Sequence, residues 1–102
     1  MIRVADYVVN RLREHGIEQV FMVSGGGAMH LNDAFGRMPY VCNHHEQACA
    51  IAAEGYWRAS GKVAVVNITT GPGGTNTLTG VLGQWTDSVP VFYIACQVKF
   101  ET

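Results

Sequence analysis

The reactive side chains of this 102-residue chain crowd into His44-His45-Glu46-Gln47, with Cys42 and Cys49 on either side. Two kinds of chemistry suit such a cluster. Glu46 can serve as a general acid or base, and His with Cys can hold zinc. The spacing C-x-H-H-x3-C matches no standard structural zinc site, and neighbours on a strand point to opposite faces, so no metal site is expected. An acid in the first helical turn also has a plain explanation, because it favours the helix dipole. Two Gly-rich stretches, Ser24 to Gly27 and Thr69 to Asn76, are the other candidates, since phosphate binds readily where such a loop opens a helix. Neither fits a nucleotide fingerprint. Gly25-x-Gly27 meets His30 where G-x-G-x-x-G needs glycine, Gly71-x-Gly73 meets Asn76, and no Gly-Lys-Ser/Thr triplet occurs.

The elements that must position these residues alternate between helix and strand. Val4, Val8 and Leu12 form an apolar stripe over Val4 to His15, which predicts an amphipathic helix ended by Gly16. Gln19 to Val23 reads as a strand, about Ala28 to Arg37 as a helix, and Pro39 to Asn43 as a second strand. His45 to Ser60 is predicted as a helix rich in small residues, with Ala48, Ala50 and Ala52 suited to close packing behind Glu46. Val63 to Ile68 is nearly all apolar, as in a parallel strand buried on both faces. Thr77 to Thr86 reads as a helix and Val89 to Ala95 as another buried strand. Such alternation predicts an α/β fold, a doubly wound parallel sheet with flanking helices. Ser24 to Gly27, Asn43 to Gln47 and Thr69 to Asn76 then all leave carboxyl ends of strands, the edge where ligands gather in such sheets.

Composition narrows the function classes. Hydrophobic residues make up 48% and charged residues 15%, which excludes a disordered chain. Seven Lys+Arg against eight Asp+Glu leave a net charge of -1, and no basic cluster offers a nucleic-acid face. The longest charge-free run, Val63 to Thr86, is broken by Gly71, Pro72, Gly73 and Gly74, so no membrane span is expected. Three cysteines without CxxC spacing suit a reducing cytoplasm. Asp87 is the only charge between Val63 and Val98, which points to a covered central sheet and to a surface meant for a partner. The chain stops seven residues after Ala95, where such folds continue, and so reads as part of a longer domain.

His45-Glu46-Gln47-Ala48, Ala52-Ala53-Glu54-Gly55-Tyr56 and Arg58-Ala59-Ser60-Gly61-Lys62 closely resemble the thiamine-diphosphate-dependent enzymes of the acetolactate synthase type. The likeness continues through Thr70-Gly71-Pro72-Gly73-Gly74-Thr75-Asn76 and Asp87-Ser88-Val89-Pro90 to Gln97-Val98, with Val23 to Gly27 at the family's first Gly-rich loop. It spans essentially the whole chain in order. The resemblance implies that residues 1–102 are the N-terminal part of a pyrimidine-binding domain, with the diphosphate-binding domain absent. It implies that Glu46 hydrogen-bonds the aminopyrimidine N1′ of thiamine diphosphate and so promotes loss of the thiazolium C2 proton, the carbon that attacks pyruvate or another 2-oxo acid. Sharing a proton near neutrality asks more of Glu46 than a free glutamate, which titrates near pH ~4.3, can give. Burial against apolar neighbours is the expected means of closing that gap.

By the same resemblance, Gly25, Gly26, Thr70, Gly71, Pro72, Gly73 and Asn76 join Glu46 around the cofactor. Gln97, His44 and His45 have weaker claims. Mg2+ is implied to bind the diphosphate in another domain, FAD is allowed in the full enzyme, and a homodimer or higher homo-oligomer completes the site. Three features depart from the family pattern: Ser24 stands where proline is common, His44 where arginine is common, and no Gly-Asp-Gly segment occurs. The first two bear on the substrate more than on the cofactor. Two other readings stay open from the residues: a phosphate- or nucleotide-binding α/β module, and a non-catalytic assembly fragment that keeps a dimer face.

Overall fold

Ala5, Val9 and Leu12 recur at helical spacing and turn inward along α1, Val4–Glu14, while Asp6 in its first turn and Arg11 and Arg13 in its last complement the helix dipole. The computed structural model describes residues 1–97; Val98, where both the resemblance and the charge-poor segment end, lies outside them. Strand β1, Val20–Met22, follows and is wholly buried. A single 3-10 turn, Gly26–Ala28, leads into α2, Met29–Phe35. Next come the exposed strand β2, Tyr40–Cys42, and the long helix α3, Glu46–Ser60. Strand β3, Val65–Ile68, is buried throughout, as its unbroken apolar run predicts. The short helix α4, Pro72–Thr75, then precedes α5, Leu78–Asp87, and strand β4, Phe92–Ala95.

All strand pairs are parallel and the sheet order is β2-β1-β3-β4. Alternate side chains of the two central strands face opposite layers. Val20, Met22 and Val65 pack with Ala5, Val9 and Leu12 of α1 and with Ala34 and Phe35 of α2. On the other side, Phe21, Val66 and Ile68 pack with Cys49 and Ala53 of α3. Helix α5 lies against α3 on that second face. The expected doubly wound α/β sheet is therefore present. Its order reverses between β1 and β3, so the chain leaves β1 toward one layer of helices and β3 toward the other.

Two expectations need correction. The strand predicted over Val89 to Ala95 begins only at Phe92 and is not buried: Phe92 and Ala95 are exposed, because among the described residues β4 pairs on one side only, with β3. The stretch Thr69 to Asn76 is not all loop, since α4 occupies half of it. Proline pre-organises the first helical position and needs no partner for a missing N–H, so Pro72 was the available signal.

Small residues set how closely α5 approaches α3. A methyl group added at Gly80 would stand 2.5 Å from the Ala50 Cβ. Gln84, buried one turn later, donates from Nε2 to the Ala50 carbonyl at 2.7 Å and accepts the Tyr93 hydroxyl at Oε1. One amide thereby ties α3, α5 and β4 together, with its donor and acceptor both satisfied, as burial demands.

Candidate active site

Parallel pairing puts the ends of β1, β2 and β3 on one edge, and side chains join the three loops that leave them. Thr69, just past β3, is the hub of two. A Cβ at Gly25 would fall 2.7 Å from the Thr69 Cβ, and one at Gly73 would fall 3.0 Å from its methyl. Gly25 is therefore needed for close contact between the first and third loops, at the point where the strand order reverses, and Gly73 for the third loop to fold back on its own Thr69. Open parallel sheets bind ligands in the crevice at such a switch point.

The second and third loops meet through Glu46. His45 caps α3, its Nδ1 accepting the Gln47 backbone N–H at 3.0 Å, so Glu46 is the first residue of the helix. With Nδ1 an acceptor, the proton of the neutral His45 ring sits on Nε2. Glu46, for which burial against apolar neighbours was expected, is half-buried. Its Oε1 accepts from Asn76 Nδ2 at 3.0 Å, across 30 residues of sequence. Asn76 ends α4, and its own N–H donates to the Pro72 carbonyl at 2.9 Å. The turn that starts this helix needs Gly71, whose φ of 58° and ψ of -120° suit no L side chain. Thr70 supports the same turn by accepting from the Gly73 N–H at 3.2 Å.

The predicted residues thus come together unevenly. Glu46 and Asn76 touch, and Gly25 and Gly73 pack on Thr69. Gly71, Pro72 and Thr70 shape α4. Gly26 and Gly74 have open space where a Cβ would stand, so no contact within the described residues accounts for their small size. Gln97 and His44 are exposed. Of the alanines expected behind Glu46, Ala50 is buried and Ala52 half-buried, whereas Ala48 is exposed. Sequence reasoning passed over Thr69 and Gln84. A polar residue one turn after Gly80 on the inner face of α5 was the signal for Gln84; nothing local marked Thr69.

Cys49, one turn after Glu46, is fully buried, and that burial, with smaller contributions from the nearby Glu46 and Cys42, pushes its thiol up to about 11. It stays protonated and inert at neutral pH. All three cysteines are free thiols. Two hollows, of about 320 and 170 Å3, lie along α5 and β4, sharing Gln84, Trp85 and Val89 in their walls. Leu78, Leu82 and Trp85 are 60%, 66% and 84% exposed and line one stripe of α5.

Residues 2–102 match the family described as thiamine pyrophosphate enzyme, N-terminal TPP binding domain. The chain belongs to this family. It is 44% identical over 97 residues to an acetolactate synthase large subunit of Haemophilus influenzae, covering 92% of this chain and 17% of that protein. Acetolactate synthase 1, chloroplastic, of Oryza sativa subsp. japonica is 43% identical, covering 92% of this chain and 15% of the relative. The acetolactate synthase isozyme 3 large subunit of Escherichia coli is 40% identical over 101 residues, covering 96% and 18%. The chain therefore spans less than a fifth of the length of each of these relatives. No helix among the described residues is long and apolar enough to cross a membrane.

Proposed function

We propose that this chain is the N-terminal part of the pyrimidine-binding domain of a thiamine-diphosphate-dependent carboligase or decarboxylase, most like acetolactate synthase, acting on pyruvate or a similar 2-oxo acid. One observation carries the reading: Glu46 opens a helix at the carboxyl edge of the sheet, beside the switch point, with one carboxyl oxygen held and the other without a hydrogen-bond partner among the described residues. When bound, the cofactor supplies a thiazolium carbon able to add to the carbonyl of a 2-oxo acid.

The residues present fit the pyrimidine half of that cofactor. A half-buried carboxyl can exchange a proton with a ring nitrogen while keeping partial shelter from water. The open space at Gly26 and Gly74 lets a flat ring come near the backbone. Gly25, Gly71 and Gly73 shape the loops in this reading, and Thr70, Pro72 and Asn76 hold α4 in place beside Glu46. The diphosphate and its Mg2+ are assigned to a separate domain, in keeping with a sequence that has no Gly-Asp-Gly segment. By the family resemblance, the full enzyme can also carry FAD.

The reading includes a homodimer or higher oligomer, with the site completed by a diphosphate-binding domain. The exposed stripe of Leu78, Leu82 and Trp85 supports it, because large apolar side chains grouped on one face mark interaction surfaces. It also has the enzyme in the cytoplasm, in keeping with three free thiols. The test is to incubate the full-length protein with pyruvate, thiamine diphosphate and Mg2+ and to identify the product. Cofactor-dependent acetolactate or aldehyde is expected and separates carboligation from simple decarboxylation. A protein that binds the cofactor yet turns over no 2-oxo acid would overturn the proposal.

A further inference from the structure

We propose that Asn76 is a positioning residue that decides which oxygen of Glu46 carries the exchangeable proton. The inference rests on the reading of Glu46 given above, and it changes the role expected for Asn76 from contacting the cofactor to orienting the acid. An ionised carboxylate only accepts hydrogen bonds, so the atom facing Glu46 Oε1 at 3.0 Å must be the Asn76 amide nitrogen, and the amide has one orientation. When Glu46 is protonated, its carbonyl oxygen is a far better acceptor than its hydroxyl. The Asn76 N–H therefore holds Oε1 as the carbonyl and directs the proton to Oε2. One proton on one defined oxygen is what directional transfer to a ring nitrogen requires.

The surrounding structure fixes Asn76 for this task. Its backbone closes α4 on Pro72, and α4 is docked by Gly73 against Thr69. Thr77, the next residue, is buried and donates from Oγ1 to the Gly74 carbonyl at 2.6 Å. No other side chain among the described residues hydrogen-bonds the Glu46 carboxyl, so its orientation depends on this amide.

The experiment uses the full-length protein with thiamine diphosphate and Mg2+, and measures cofactor Kd and the exchange of the cofactor C2 proton with deuterium. Asn76→Ala is expected to slow exchange at saturating cofactor by about 10- to 100-fold, as misplacement of a reacting group does, while Kd changes less than about 3-fold. Asn76→Asp, of the same shape, sets a second carboxyl against Glu46. The two then share a proton, and the pH profile of exchange moves to higher pH. Unchanged exchange in Asn76→Ala overturns the proposal. So does a weakened Kd with normal exchange at saturation, which would make Asn76 a cofactor contact. Should Asn76→Ala not fold, an unshifted profile in Asn76→Asp overturns it equally. Glu46→Gln separates the two levels: normal exchange there sinks the reading of Glu46 itself, whereas lost exchange there beside normal exchange in Asn76→Ala sinks only the role of Asn76.

Discussion

The contact between Gly80 and Ala50 sets the position of α5 against the helix that carries Glu46, and Gly80→Ala tests it. The added methyl would stand 2.5 Å from the Ala50 Cβ and 3.6 Å from its Cα. Carbon atoms rest about 3.5–4.0 Å apart, so the helices must separate by roughly 1 Å or more. Such overpacking costs about 1–3 kcal/mol. The Gln84 to Ala50 hydrogen bond, 2.7 Å long and one turn away, stretches with it at a further cost of about 1 kcal/mol. Better helix propensity returns about 1 kcal/mol. The net expectation is a loss of about 1–3 kcal/mol, with a lower Tm. Urea and thermal unfolding measure it directly. Ala50→Gly in the same chain removes the opposing methyl, so the double variant should be more stable than the two single losses predict, by at least about 1 kcal/mol. If Gly80→Ala is neutral or stabilising, as glycine replacement in an uncrowded helix would be, the close approach of α3 and α5 is wrong.

Two further outcomes follow from the titrating groups. Cys49 is buried with its thiol pushed up to about 11, while Cys42 is exposed, so iodoacetamide near pH ~8 should label Cys42 in the folded protein and Cys49 only after unfolding; equal labelling rates would contradict that placement. Hydrogen bonds from Arg3, then the charges of Arg3 and Arg37, hold the Asp6 carboxyl below its ordinary value. A depressed folded pKa gives stability that is present above the unfolded value of about 3.9 and is lost as pH falls through the folded one. Asp6→Asn should therefore flatten the fall in urea midpoint on acidification below about pH 4, and an unchanged acid slope would show that the ion pairs of Asp6 with Arg3 and Arg37 contribute nothing.

Much of the architecture was legible because it is written in local patterns. The apolar run through Val65 and Val66 marks a central strand, and the helical spacing of Val4, Val8 and Leu12 marks a helix, though the face it buries is one position over, Ala5, Val9 and Leu12, with Val4 80% exposed and Val8 half-buried. Alternation of the two then forces parallel strands and brings three loops to one edge. What failed was information that is not local. An apolar run does not say how many neighbours a strand has, which is why Phe92 was expected inside and stands at an edge. Likewise, alanines at Ala48 and Ala50 look alike in sequence, but only Ala50 faces α5. The partnership of Glu46 with Asn76 spans 30 residues and that of Gln84 with Ala50 spans 34, so neither has any periodic trace. Family resemblance named Glu46 and Asn76 separately; the fold is what joins them.

The central claim is that Glu46 exchanges a proton with the pyrimidine of bound thiamine diphosphate. Its most direct test is C2 proton exchange, followed by NMR, in full-length Glu46→Gln and in the unaltered protein, both saturated with thiamine diphosphate and Mg2+. The account predicts a variant that folds and binds the cofactor but loses exchange by at least about a hundredfold, the smaller end of general acid–base contributions. Exchange at the unaltered rate in a folded, saturated variant would contradict it.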